Sequence, residues 1–164
     1  MTYNFDTEVE TDLDFDCVDV YKKVVDAVLL DSKCPYEATV DLLITDNESI
    51  REINKENRGI DEATDVLSFP MNEFTAPGDF SDINENSASF DQDTGELILG
   101  CIVLSIDRIR SQAADFGHSK KREFAFLIAH SMLHLIGYDH INDNDRVLME
   151  SRQRQVMKMV GILR

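Results

Sequence analysis

Residues 124–137, "FAFLIAHSMLHLIG", are apolar on almost every side of a helix. A helix at a protein surface needs a polar face, and this one has none, so the rest of the chain must pack around it. Two histidines interrupt the apolar run, His130 and His134, and a third, His140, follows shortly after. At positions i and i+4 both imidazoles leave the same helix face. Gly137 is free to take the left-handed conformation that ends a helix, and the chain can then turn back to bring His140 beside the first two. Unpaired imidazoles in so apolar a helix are costly, and a shared metal ion removes that cost. Three imidazoles at ~2.0–2.1 Å from one ion leave a fourth position open, as in catalytic zinc sites. The spacing therefore predicts one zinc ion on His130, His134 and His140. The fourth histidine, His118, precedes a Ser119 helix cap and reads as a surface or capping residue.

Around this helix the periodicities predict an α+β domain covering residues 1–164, a mixed sheet packed with about five helices. "DVYKKVVDAVLLDSK" has Val20, Val24 and Val28 at helical spacing, with Ala27 and Leu30 adjoining. "TVDLLIT" (39–45), "ATDVLSFP" (63–70, ended by Pro70) and "ELILGCIVLS" (96–105) read as strands; Gly100 inside the last implies a bulge or a close backbone approach. "DNESIREINKENRG" is a helix capped by Asp46 or Asn47 and stopped at Gly59. Residues 106–117, 119–137 and 143–161 give three more, the last capped by Asp143 or Asn144. Residues 71–95 are polar and acidic and read as a long loop.

The net charge of −16 is unevenly spread. Residues 1–107 hold 26 acidic and 6 basic side chains, a net of −20, whereas residues 108–164 hold 6 and 10, a net of +4. The histidines thus lie in the basic part, which leaves room for a local phosphate-binding surface on an acidic protein. No apolar run approaches the ~18 residues of a membrane span, and the acidic N-terminal stretch lacks the order of a signal peptide. Cytoplasmic location without membrane contact is the expectation. Cys17, Cys34 and Cys101 form no C-x-x-C pair and read as reduced thiols.

The histidines and glycine match the zinc-peptidase pattern H-E-x-x-H-x-x-G-x-x-H position for position, but Ser131 stands where the glutamate should be. That glutamate is the general base of peptide hydrolysis, so a standard peptidase is disfavoured. Glu123 shares the helix face but is seven residues away, about 10 Å. Asp139, beside His140, is the nearest carboxylate: it either fixes a histidine tautomer or accepts a proton. Arg58 can hold a phosphate bidentately, or serve only as a cation at a helix C-terminus.

These residues carry a family resemblance. "HSMLHLIGYDH" resembles the H-G-x-L-H-L-x-G-Y-D-H signature of the YbeY family, bacterial endoribonucleases of ribosomal-RNA maturation. "NRGIDEATDVLSFP", "LGCIVLS" and "GHSKKREFAFLIAH" are similar to further family stretches in the same order, and Met149 with Gln153 fits its final helix. The resemblance spans about Val40 to Met157. It implies a small α+β fold, zinc on His130, His134 and His140, a functional arginine at Arg58, and metal-dependent cleavage of single-stranded RNA, with ribosomal RNA or a ribosomal subunit as partner. Two departures stand out: Ser131 in place of glycine, where its hydroxyl would crowd or donate to a bound phosphate, and Cys101 in place of an aspartate. Lys120, Lys121, Arg122, Arg152 and Arg154 either line an RNA path or form a solvated face. Two other readings remain: a metallohydrolase of another class, peptidase-like with an unusual base, and a ribosome-assembly factor with a non-catalytic zinc.

Overall fold

A computed structural model describes residues 1–84 and 88–162. Its elements run in the order β1 (Thr2–Thr7), α1 (Cys17–Asp31), β2 (Ala38–Thr45), α2 (Asn47–Arg58), β3 (Val66–Pro70), β4 (Leu97–Ser105), α3 (Ile106–Phe116), α4 (Lys120–Leu135) and α5 (Asp143–Val160). The four strands form one sheet in the order β1-β2-β4-β3. β1, β2 and β4 are parallel, and β3 pairs antiparallel with β4 at the edge. The fold is α+β with a mixed sheet and five helices, as the periodicities imply.

α4 is the centre of the molecule. It packs against α1, α3, α5, β3 and β4, and ten of its sixteen residues are buried. Phe124, Ile128 and Met132 are completely enclosed, and each such side chain contributes roughly 1.5–3 kcal/mol of burial free energy. α2 covers the opposite sheet face, where Ile50 meets Leu67 and Val103 in a smaller cluster that Cys101 joins.

The strongest local signals are caps. Asp46 accepts from Ser49 N–H, Ser105 from Arg108 N–H and Ser119 from Arg122 N–H, so each starts its helix by satisfying an orphan donor. α5 is capped one residue earlier than expected, by Asn142, whose Oδ1 accepts from Asp145 N–H. Gly100 is both things its place in a strand implied. The β2–β4 register slips beside it, and at φ +139° a Cβ there would lie 2.1 Å from the Phe69 carbonyl oxygen.

Three differences from the sequence expectations are physical. β1 was not foreseen, because only Tyr3 and Phe5 alternate in an otherwise polar edge strand. Leu30 lies off the buried stripe of α1 and is 72% exposed. β3 starts at Val66 rather than 63, because the Asp65 carboxylate caps Val66 N–H ahead of the strand. The described parts of 71–95 are turns with a single bridge, Phe90 to Leu97; residues 85–87 of that expected loop lie outside the described residues.

Candidate metal centre

α4 delivers His130 and His134 one turn apart, both partly buried at the edge of the core. The chain then reverses at Gly137, whose φ is +100°. Space dictates glycine as well, since a Cβ would sit 2.6 Å from Phe74 Cβ. Tyr138 N–H donates to the Leu133 carbonyl, and this closed turn returns exposed His140 to the other two rings. One ring nitrogen from each histidine lies within 4.8 Å of the others.

The hydrogen bonds determine where the protons are. His134 Nδ1 is 2.9 Å from the Tyr138 carbonyl, which can only accept, so Nδ1 carries the hydrogen and Nε2 a lone pair. His134 Nε2 in turn is 3.2 Å from His130 Nε2. Gln153, 5% exposed on α5, lines the same small space as His130 and pulls its pKa weakly upward, against the effect of burial. Its own Nε2 donates to the Phe126 carbonyl. The Nε2 atoms of His130 and His134 converge on one point. Burial, with repulsion from His134 and His140, holds His130 at a pKa of about 4; burial also lowers His134. Both rings are therefore held toward the neutral form that a metal requires.

Tetrahedral ligation with bonds of ~2.0–2.1 Å separates neighbouring ligand atoms by about 3.3 Å. The His130–His134 separation of 3.2 Å already meets that value, and His140 needs a small inward swing of an exposed side chain. The donor set fits a first-row divalent ion.

Beside the triad is a cleft of about 380 Å³ lined by Arg58, Thr64, Asp65, Ser68 and Asp139 among others. Arg58 is the last residue of α2, exposed, with no hydrogen bond or ion pair among the described residues. Asp139 is in place, but its Oδ1 accepts from the backbone N–H of its neighbour His140 at 2.7 Å and not from an imidazole. The His134 tautomer is instead set by the Tyr138 carbonyl.

Ser131 does not face the cleft. It is fully buried, and its hydroxyl lies 2.6 Å from Ser68 Oγ on β3. It neither crowds nor donates to a phosphate; it joins α4 to the sheet. His118 corrects its expected role as well. Its side chain is 9% exposed and Nε2 lies 2.6 Å from Glu123 Oε2, while Ser119 does the capping. Arg152 is tied to Asp31.

Sequence reasoning missed Asp65 and Gln153. Asp65 brings a second carboxylate to the cleft, its Oδ2 3.3 Å from Gln112 Nε2, which also donates to Glu123. Its signal was its position directly before β3, in the quoted "TDVLSFP".

Comparison with known proteins bears on the chain as a whole. The family model described as Endoribonuclease YbeY matches residues 3–161. Relatives bearing that name are similar over the full length of both chains in Agathobacter rectalis, at 51% identity, and Lachnoclostridium phytofermentans, at 49%. One from Clostridium acetobutylicum is 43% identical over 87% of each chain. A solution structure of a Thermotoga maritima protein shares the fold with a TM-score of 0.59 at 21% identity, covering 97% of this chain and 89% of that one.

Proposed function

The chain belongs to the YbeY family of endoribonucleases, and from that premise we propose that it cleaves single-stranded ribosomal RNA in the cytoplasm, free or within a ribosomal subunit, using one zinc ion on His130, His134 and His140. The proposed domain occupies residues 1–164. Among the described residues, no helix is long and apolar enough to cross a membrane.

The observation that carries the reading is the Arg58 guanidinium, unpaired among the described residues, which lines the same cleft as the histidines. In a protein with 32 acidic side chains, a cation without a carboxylate partner beside a metal-type triad is suited to an anionic substrate. A bound ion would supply Lewis-acid charge at the scissile phosphate. Arg58 would hold the non-bridging oxygens bidentately and offset charge that develops at phosphorus. Asp65 and Asp139 line the cleft, and either carboxylate would accept a proton from the attacking group. The peptidase alternative lacks the base of its own pattern, because Ser131, engaged with Ser68, stands where the glutamate would be.

Arg58→Lys tests the reading. It should retain metal and fold yet lose at least about tenfold in RNA cleavage, because Lys cannot reproduce the planar two-pronged contact. Equal cleavage at matched metal content would return Arg58 to a helix-end cation. Wild-type protein should cut single-stranded RNA in a chelator-sensitive way and leave casein intact; the reverse pattern would overturn the proposal. An oligonucleotide with 2′-deoxy at the cleavage position separates attack by water from attack by the RNA 2′-hydroxyl, since continued cutting requires water.

A further inference from the structure

A second concavity, about 490 Å³ in volume, lies between α4 and α5. Its floor is apolar, made by Phe126, Met157 and Ile162. Phe126 is exceptional on its helix: residues 123–125 and 127–129 are buried, yet its ring is 37% exposed. Arg154 and Lys158 stand one turn apart on the α5 rim, about 6 Å along the axis. Both are exposed, and neither has a hydrogen bond or ion pair among the described residues. That holds even though Glu150, the one carboxylate lining the groove, precedes Arg154 by a helical turn. Arg122 closes the α4 side, its Nη1 donating to the Ile162 carbonyl at 2.9 Å.

The groove and the metal cleft adjoin through shared lining residues. A smaller space of about 230 Å³ shares Phe126, Glu150 and Gln153 with the groove, and His130 and His140 with the cleft. A polymer whose reacting phosphate lies at the triad has a lined way from it toward the Phe126 ring and the cations of the groove. An aromatic face beside a row of separated positive charges suits a chain of bases and phosphates; a single anion would need convergent cations. The volume lies within the range of small-ligand sites and accommodates a nucleotide.

We propose that the α4/α5 groove is a binding subsite for the single-stranded RNA flanking the cleaved bond, with one base stacked on Phe126 and its neighbouring phosphates held by Arg154 and Lys158. The proposal rests on the endoribonuclease reading, and it assigns length dependence to a place away from the chemistry.

The experiment compares zinc-loaded wild-type protein with Phe126→Ala, Phe126→Trp and the double variant Arg154→Glu/Lys158→Glu. Zinc content and melting temperature are matched first. Cleavage of a 12-nucleotide RNA and of a trinucleotide is measured, with fluorescence anisotropy of the labelled 12-mer. Phe126→Ala should lose about tenfold in affinity for the 12-mer, in line with one lost stacking contact, and Phe126→Trp should restore it. The double variant should flatten the dependence of log affinity on log salt by about 1.4, two single-strand phosphate contacts at ~0.7 each. Trinucleotide cleavage should not change. Variants that bind and cut the 12-mer as wild type does would overturn the subsite. So would unchanged RNA affinity with lost affinity for an acidic peptide, which would make the groove a protein-docking site. If wild type cuts neither RNA, the functional reading fails, and anisotropy still decides the groove on its own.

Discussion

Gln153 shows how one side chain away from the substrate can determine a metal centre. Its amide donates to the Phe126 carbonyl beside the metal helix and exerts a weak upward pull on the His130 pKa, so a polar group on α5 acts on the ring from outside its own helix. Gln153→Leu keeps the volume and removes that polar group. The variant should fold, yet bind zinc about 10–100-fold more weakly, the usual effect of losing a group that orients a ligand. Competition with a chromophoric chelator measures this, and wild-type affinity would refute the role. Cys17 illustrates competing effects at a single thiol. It is the first residue of α1, where the helix dipole favours a thiolate, yet burial, together with the adjacent Asp16 charge, pushes its pKa up to about 11. Burial wins. Its folded pKa thus exceeds the ordinary ~8.5 of an unfolded chain. The resulting stability is present below that value and is lost as pH rises toward 11. Urea midpoints should fall between pH 8 and 10, and Cys17→Ser should reduce the fall. Native Cys17 should also react with iodoacetamide far more slowly than in urea.

At the scale of elements, α4 fixes both the architecture and the site, and Ser131 is the residue where the two meet. Its hydroxyl belongs to the interface with β3. Ser131→Ala should cost about 1 kcal/mol, one modest hydrogen bond. Ser131→Glu, which completes the peptidase pattern on paper, should cost at least about 3 kcal/mol by burying an unpaired carboxylate, and should create no proteolysis. Denaturation midpoints and a casein assay measure these; a stable, proteolytic glutamate variant would refute the assignment. The same comparison shows what sequence can and cannot carry. His130, His134 and His140 were legible because helical spacing and a glycine stop are local facts, as were the caps at Asp46 and Ser119. Gln153 and Asp65 were not, because each acts across an interface between elements far apart in the chain. His118 was misread for a related reason: its pairing with Glu123 depends on how the α3–α4 turn folds back. β1 escaped because parallel pairing with β2, rather than its own pattern, makes it a strand.

At the scale of the whole molecule, salt should act in opposite directions on fold and function. A net charge of −16 on 164 residues makes self-repulsion a cost to the compact state. Several of the cations that would relieve it are already committed: Arg51 to Asp61, Arg110 to Asp12 and Arg152 to Asp31. Arg58, Arg154 and Lys158 are among the cations without an ion pair among the described residues, and these three line the metal cleft or the groove beside it. Raising ionic strength from about 10 mM to 150 mM shortens the Debye length from ~30 to ~8 Å. Dispersed acidic side chains then repel one another less, and the melting temperature should rise by a few degrees. The same change should weaken RNA binding, because the counterions that the local cations release from RNA gain less entropy on entering a saltier solution. Differential scanning fluorimetry and anisotropy on one salt series test both halves. A melting temperature that falls with salt would mean that surface ion pairs outweigh the net charge. RNA affinity that ignores salt would mean that Arg58, Arg154 and Lys158 do not meet phosphates.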